Sequence, residues 1–182
     1  RIKLIKVDMM NKRIAFFDAK PYDRSAFDRI NETYGFKIKY FPGRLNSDNV
    51  QLAKDFDAIC TFVNDDLGKD VLIALENQNK KLIALRSAGY NNVDLKTAYK
   101  RIHVVHVPAY SPHAVAEHAV ALMLSLNRKI HKAYYRTRDN NFTINGFLGF
   151  DMYGKTAGVI GTGKIGKAMI AILKGFGMHV LA

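Results

Sequence analysis

Residues 153–166 read Tyr-Gly-Lys-Thr-Ala-Gly-Val-Ile-Gly-Thr-Gly-Lys-Ile-Gly, a short apolar strand followed by glycines in the spacing G-x-G-x-x-G. The apolar periodicity that follows predicts a helix starting near Lys164. A strand, this glycine spacing and a helix, in that order, are what a dinucleotide-binding turn requires. Gly161 permits the tight turn, Gly163 leaves the backbone open to a diphosphate, and Gly166 permits close packing of the helix on the strand.

The start of this helix is the predicted phosphate site. Its first N–H groups have no acceptor within the helix and lie at the positive end of the helix dipole, so they suit a diphosphate. The alternative is a glycine-rich turn that binds no ligand. The residues predicted to bind the cofactor are Gly161, Thr162, Gly163, Lys164, Ile165 and Gly166.

The acidic residue that completes such a site is missing from the sequence. An Asp or Glu about 20 residues after the glycines normally binds the adenosine ribose. Here residues 178–182 read as the second strand, and no acidic residue follows Asp151. We therefore expect a chain that is cut inside its nucleotide domain, and the choice between NAD and NADP stays open.

The composition bounds the possible partners. The chain has 182 residues, of which 48% are hydrophobic, and its 28 Lys and Arg against 16 Asp and Glu give a formal net charge of +12. Because the basic residues are dispersed, apart from a group between Arg128 and Arg138, we do not expect nucleic-acid binding. The single cysteine, Cys60, lies in an apolar run, which predicts a buried, unreactive thiol and fits a cytoplasmic protein.

Two further classes of site receive no support from the sequence. No apolar run approaches the length of a membrane span. No His, Cys or carboxylate cluster has the spacing of metal ligands, so no metal site is predicted.

Between Arg13 and His106, β-rich runs alternate with helical patterns. This alternation favours βαβ units and a parallel sheet with helices on both faces. The predicted strands are 14–17, 37–41, 58–62, 82–85 and 103–106, and the predicted helices lie around 23–34, 48–54, 69–78 and 94–100.

A longer helix is predicted to follow. Ser111 is a suitable N-cap and Pro112 a suitable first helical residue, and the pattern continues toward Arg138. We expect a disordered leader over 1–9, a first domain over 10–110, a linking helix and connection over 111–150, and the start of a nucleotide domain over 151–182.

Several long motifs resemble those of one enzyme family. They are residues 62–66, 84–94, 107–118, 126–128 and 136–139, together with the glycine turn. On these stretches the chain resembles the NAD-dependent D-2-hydroxyacid dehydrogenases, most closely the bacterial fermentative D-lactate dehydrogenases. The resemblance implies an α/β fold, in which a flavodoxin-like parallel-sheet substrate domain precedes the first part of a Rossmann domain.

The resemblance also implies an activity. Such enzymes reduce a 2-oxoacid, here pyruvate, by hydride transfer from NADH, while a His–Glu pair supplies the proton and an Arg binds the substrate. In the family these three residues lie in the second half of the protein, so no catalytic residue is assigned in this chain and the chain alone is expected to be inactive. The alternatives are a dehydrogenase for another D-2-hydroxyacid, or a dinucleotide-sensing binding protein on the same scaffold.

The substrate residues that the resemblance carries over are few. Ala88 and Gly89 match positions whose backbone N–H groups hold the substrate carboxylate, although Gly89 has the alternative of serving a tight turn. Tyr110 matches an aromatic residue beside substrate and nicotinamide, with an ordinary loop tyrosine as its alternative. Arg86 is interpreted as an anchor within its domain rather than the catalytic arginine, and residues 64–66 as a turn or helix cap. The implied partners are a small 2-oxoacid or 2-hydroxyacid and, at full length, further copies of the chain.

Overall fold

The computed structural model describes residues 12–182, which form two compact units. The first unit ends at Pro108 and the second comprises Ala109–Ala182. The predicted leader over 1–9 lies outside the described residues. The domain limits that we derive from the sequence stay a prediction.

A five-stranded parallel sheet forms the centre of the first unit, with the strand order β2-β1-β3-β4-β5. The prediction of a parallel sheet is confirmed, and each predicted strand end lies within one residue of the observed one. Because the chain moves from β1 outward to β2 and then returns to the other side of β1, the connections diverge between β1 and β3. The strands are β1 (Arg13–Phe16), β2 (Lys37–Tyr40), β3 (Ala58–Thr61), β4 (Leu82–Leu85) and β5 (His103–Val105).

The helices of the first unit are shorter than the sequence pattern predicts. They are α1 (Pro21–Asn31), a 3₁₀ helix (Val50–Ala53), α2 (Lys69–Asn77) and α3 (Leu95–Ala98). The helix predicted around 48–54 is present only as the short 3₁₀ helix, since the side chains of Asn46 and Asn49 bind nearby backbone groups there and compete with α-helical hydrogen bonds.

The main hydrophobic core lies on one face of this sheet. It includes Phe17, Ile59, Leu72, Leu75 and Ile83, all buried. A smaller cluster on Phe16, Ala19 and Cys60 lies apart from it. The prediction that Cys60 is buried is confirmed.

The second unit contains a βαβ element around the glycine turn. Strand β6 (Thr156–Gly158) pairs in parallel with β7 (His179–Leu181), and α6 (Lys164–Gly175) connects them. A further helix, α4 (Pro112–Arg128), packs on α6. The buried side chains of these two helices are Ala116, Val120, Ala168 and Leu173.

The prediction of one helical pattern from Ser111 toward Arg138 is wrong at one residue. Lys129 has φ 51° and ψ 37°, the left-handed conformation, so α4 ends at Arg128 and α5 (Ile130–Arg138) begins after it. The Lys129 ammonium donates to the carbonyl of Leu148 at 2.8 Å, which holds this break against the segment after α5. Among residues 12–182, no helix has both the length and the apolar composition needed to cross a membrane.

Candidate functional site

The glycine turn has the backbone geometry that its sequence predicts. Gly161 has φ +98°, a conformation that side chains with a Cβ rarely adopt. Gly163 is extended, with φ −70° and ψ −169°, and precedes the first residue of α6. The predicted helix start at Lys164 is therefore confirmed.

Gly166 is required by packing. A Cβ atom added to it would overlap the backbone carbonyl oxygen of Gly161, and it would also lie 3.7 Å from a side-chain carbon of Val159. The close packing predicted for the third glycine is therefore present, but against the turn at Gly161 and against Val159, the residue after β6, rather than along the strand itself.

The first turn of α6 offers backbone donors. The N–H groups of Lys164, Ile165 and Gly166 have no acceptor among the described residues, since the first intrahelical bond runs from Lys167 to Gly163. There is no acidic residue in this turn. A Cβ added to Gly163 would meet nothing within 4 Å, so no described atom crowds the backbone just before these donors. These features fit the diphosphate of a dinucleotide.

The other predicted cofactor residue on this turn, Thr162, is exposed and lies between Gly161 and Gly163. The Lys164 side chain is also exposed, and it forms no ion pair with residues 12–182. Its role as a phosphate partner stays a prediction, as does cofactor binding by the whole turn.

Ala88 and Gly89 lie in the loop after β4, at the carboxyl end of the sheet, where open α/β sheets bind ligands. A Cβ added to Gly89 would meet nothing within 4 Å, and the residue is not in the left-handed region. The alternative that Gly89 is needed for a tight turn therefore receives no support. Its assignment to substrate binding stays a prediction.

Three consecutive carbonyl oxygens of this loop accept hydrogen bonds. The Ser87 oxygen accepts from the N–H of Val107 at 3.1 Å. The Ala88 oxygen accepts from Nδ1 of His106 at 3.0 Å. The Gly89 oxygen accepts from the Ser87 hydroxyl at 2.7 Å. Ser87 and His106 are not among the site residues predicted from the sequence. The contacts of His106 and of the Ser87 carbonyl depend on the pairing of β4 with β5, whereas the Ser87 hydroxyl bond is local, between residues two apart.

Arg86 anchors the loop after β1. Its guanidinium donates to the carbonyls of Phe17 at 3.0 Å and Asp18 at 3.2 Å, and it stacks 4.1 Å above the ring of Phe16. Its Nε lies 3.7 Å from a carboxylate oxygen of Asp23, and both side chains are largely buried. These contacts confirm that Arg86 is an anchor within the first unit.

The loop after β3 is built on Asp65. This carboxylate is buried and accepts from the N–H groups of Leu45 and Phe62, each at 2.6 Å. Burial raises its pKa above the ordinary value, against the opposing effect of the two N–H donors. Asn92 donates to the carbonyls of Phe62 and Asp65, which ties this loop to the loop after β4. Asp65 thus stabilises a turn, one of the two predicted roles for residues 64–66.

A cavity of about 520 Å³ lies within the first unit, beside the buried thiol. It is lined by Tyr22, Phe27, Cys60, Phe62, Arg86 and Val107, among others. Burial raises the pKa of Cys60 to about 11, although the Arg86 guanidinium acts in the opposite direction. The thiol is therefore protonated near neutral pH, as an unreactive cysteine is.

The second unit contains a cavity of about 730 Å³ that does not coincide with the glycine turn. Its lining includes Met123, Leu126, Met152 and Thr156, but no residue of 161–166. The lining of this cavity is mostly apolar, so the cavity suits a charged diphosphate less well than the turn does. Tyr110 also belongs to the second unit, where its side chain is 63% exposed. Its predicted place beside the substrate stays a prediction.

Comparison with known proteins gives a consistent result. The model of the family "D-isomer specific 2-hydroxyacid dehydrogenase, catalytic domain" matches residues 14–175. The D-lactate dehydrogenase of Escherichia coli is 53% identical over 171 residues, covering 93% of this chain and 52% of that protein. A 2-hydroxyacid dehydrogenase homolog of Haemophilus influenzae has the same identity and coverage. The chain thus spans about half the length of the curated relatives it matches.

Two solved structures extend this result. The apo structure of the Escherichia coli D-lactate dehydrogenase matches with a TM-score of 0.84 and 53% identity, over 91% of this chain and 53% of that one. A D-lactate dehydrogenase from Lactobacillus jensenii, solved with NAD+, matches with a TM-score of 0.68 and 32% identity, over 93% of this chain and 52% of that one.

Proposed function

Because the chain belongs to the D-isomer specific 2-hydroxyacid dehydrogenase family, we propose that it is part of a NAD-dependent D-lactate dehydrogenase that reduces pyruvate. The reaction is pyruvate + NADH + H⁺ → D-lactate + NAD⁺. The carbonyl carbon of pyruvate gains a hydride and its oxygen gains a proton, while the nicotinamide is oxidised. The bound cofactor supplies the hydride.

The observation that carries the cofactor assignment is the open first turn of α6. The free N–H groups of Lys164, Ile165 and Gly166 suit the diphosphate, and Gly163 leaves them accessible. The relative solved with NAD+ supports NAD as the dinucleotide. The other residues that we place at the cofactor are Gly161 and Thr162.

The chain's own contribution to catalysis is binding and orientation. We place the carboxylate of the 2-oxoacid at the backbone N–H groups of Ala88 and Gly89, since fixed donors bind a charged acceptor strongly. Tyr110 is placed beside the substrate. We assign the proton donor and the substrate-binding arginine to a part of the protein outside this chain, as in the family. The 182 residues alone are therefore expected to show no turnover.

The test is steady-state oxidation of NADH by the complete gene product with pyruvate, hydroxypyruvate or glyoxylate. We expect pyruvate to have the highest kcat/KM and the product to be D-lactate in an enantiomer-specific assay. A preference for another 2-oxoacid would refute the lactate assignment and leave the family unchanged. Parallel assays with NADPH test the cofactor, and binding of NADH without turnover of any 2-oxoacid would favour a dinucleotide-sensing protein.

A further inference from the structure

The hydrogen bonds in the loop after β4 determine where its N–H groups point. A trans peptide is planar, so its C=O and N–H groups point to opposite sides. The bond from Val107 to the Ser87 carbonyl therefore turns the N–H of Ala88 away from the end of β5. The bond from His106 to the Ala88 carbonyl does the same for the N–H of Gly89.

Both N–H groups are left without a protein partner. Among residues 12–182, neither Ala88 nor Gly89 donates its N–H to any acceptor. Backbone pairing sets the direction of the Ala88 N–H. The His106 side chain sets the direction of the Gly89 N–H. A side chain that fixes a donor in this way can be replaced, which makes its contribution measurable.

The His106 ring is itself held in place. A carbonyl oxygen only accepts, so the ring carries a proton on Nδ1 when it binds the Ala88 carbonyl. The His106 and Tyr90 rings pack edge to face, with centroids 5.4 Å apart and planes at 72°. The Ser87 hydroxyl fixes the same loop from its buried side through the Gly89 carbonyl.

We propose that His106 is a positioning residue that directs the Gly89 N–H toward the carboxylate of the 2-oxoacid, with Ser87 holding the same loop. This inference rests on the proposed function, in which Ala88 and Gly89 bind that carboxylate. Donors that are fixed before binding require no reorganisation when the substrate arrives. Release of one such donor is expected to weaken substrate binding about 3- to 10-fold.

The first test compares three variants of the complete gene product in steady-state kinetics. His106→Leu removes the donor, and we expect the KM for pyruvate to rise about 3- to 10-fold, with kcat and the KM for NADH nearly unchanged. His106→Asn places an amide N–H the same number of bonds from Cβ as Nδ1, so it is expected to restore most of the affinity. His103→Leu is the matched control, because the exposed His103 ring, unlike the rings of His106 and His131, makes no hydrogen bond with the described residues.

Ser87→Ala provides an independent variant if His106→Leu folds poorly. It removes the donor to the Gly89 carbonyl, and the same rise in the KM for pyruvate is expected. An unchanged KM in Ser87→Ala or in a folded His106→Leu, with pyruvate reduced by the wild type, would overturn the inference and leave the proposed function standing.

A binding measurement tests the positioning role of His106 separately from the proposed reduction of pyruvate. Oxamate, which carries the same carboxylate, is added to the complete gene product, and deuterium exchange is followed in the peptide 86–92. Slower exchange in the wild type, its loss in His106→Leu and its return in His106→Asn support the inference even if no 2-oxoacid is reduced. Equal protection in all variants, or none in the wild type, overturns it.

Discussion

The carbonyl oxygen of Gly161 occupies the space that a Cβ atom on Gly166 would need. The two residues lie at opposite ends of the predicted cofactor turn, so the turn and the first helical turn of α6 are packed backbone to backbone. Nothing of this kind constrains Gly163, whose added Cβ would meet nothing within 4 Å. The glycines of one motif are thus required for different reasons.

This difference predicts that two alanine substitutions both weaken NADH binding but differ in their effect on stability. Gly166→Ala forces the backbone apart and should destabilise the protein by about 1–3 kcal/mol, with loss of saturable NADH binding. Gly163→Ala should fold as well as the wild type but bind NADH at least about 10-fold more weakly, because its methyl group faces the diphosphate. Thermal unfolding and calorimetric titration of the complete gene product measure both effects.

The two variants also serve as controls for each other. Wild-type NADH affinity in Gly163→Ala would show that the diphosphate does not lie against this turn. An equal loss of stability in both variants would show that the close contact at Gly166 is not the cause.

Arg86 provides a second prediction, on stability. Its planar guanidinium reaches the carbonyls of Phe17 and Asp18 and stacks on Phe16, which a lysine ammonium cannot reproduce. Asp18 has φ 49°, so this bond also holds a residue in the left-handed region. We expect Arg86→Lys to lower the free energy of unfolding by about 2–4 kcal/mol in chemical denaturation.

The control for this prediction is Arg44→Lys, at an exposed position. It should change stability by less than about 0.5 kcal/mol. A similar small effect of Arg86→Lys would mean that the stacking and the two carbonyl bonds contribute little.

Local signals in the sequence predict most of the fold. Ser111 accepts from the N–H of Ala114 at 3.2 Å, and Asp94 accepts from the N–H groups of Lys96 and Thr97, as their positions before a helix indicate. Such caps act within three residues, so the sequence contains the whole interaction. The strands can be predicted for the same reason: an apolar run bounded by polar residues is a local pattern.

Long-range contacts explain what the sequence could not predict. The break at Lys129 coincides with a hydrogen bond to Leu148, 19 residues away, and no local pattern in the sequence predicts it. The role of Asp65 depends on Leu45, and that of His106 on Ala88. Each of these polar groups has a partner about 20 residues away in the sequence, so the residues that shape the candidate site are harder to predict than the glycine turn.

Cys60 gives a prediction for pH dependence. Burial raises the pKa of this thiol from 9.0 to about 11. Below pH 9 the thiol is protonated in both the folded and the unfolded chain and adds no pH dependence. Between pH 9 and 11 the unfolded chain releases the proton while the folded chain retains it, so stability falls as the pH rises. The loss corresponds to about 2–3 kcal/mol.

The comparison with Cys60→Ala isolates this effect. Chemical denaturation from pH 8 to 11 should show the additional loss in the wild type alone, since the other titrating groups are shared by both proteins. Parallel stability curves for the two proteins would contradict a buried, protonated thiol.

The Asn127 side chain holds the segment after α5 through Phe150. Its amide donates to the carbonyl of Phe150 at 2.8 Å and accepts from the N–H of the same residue at 2.9 Å. Gly149 directly precedes Phe150. A Cβ added to Gly149 would lie 2.7 Å from the backbone carbonyl oxygen of Asn127 and 2.8 Å from the Asn127 side-chain oxygen. The end of α4 and residues 149–150 therefore form one tightly fitted contact, within a stretch of irregular backbone.

Loss of this contact should release the segment 139–150. Asn127→Ala removes both hydrogen bonds, and Gly149→Ala pushes the segment away, so both variants should be cleaved there at least about 5-fold faster than the wild type in limited proteolysis, consistent with about 1 kcal/mol or more of lost local stability. Asn141→Ala is the control, because within residues 12–182 the Asn141 side chain accepts only from the N–H of Thr143, two residues away. Cleavage of Asn127→Ala at the rate of Asn141→Ala would show that the segment is held by other contacts, of which the bonds from Arg136 to the carbonyls of Thr143 and Asn145 are the first to test.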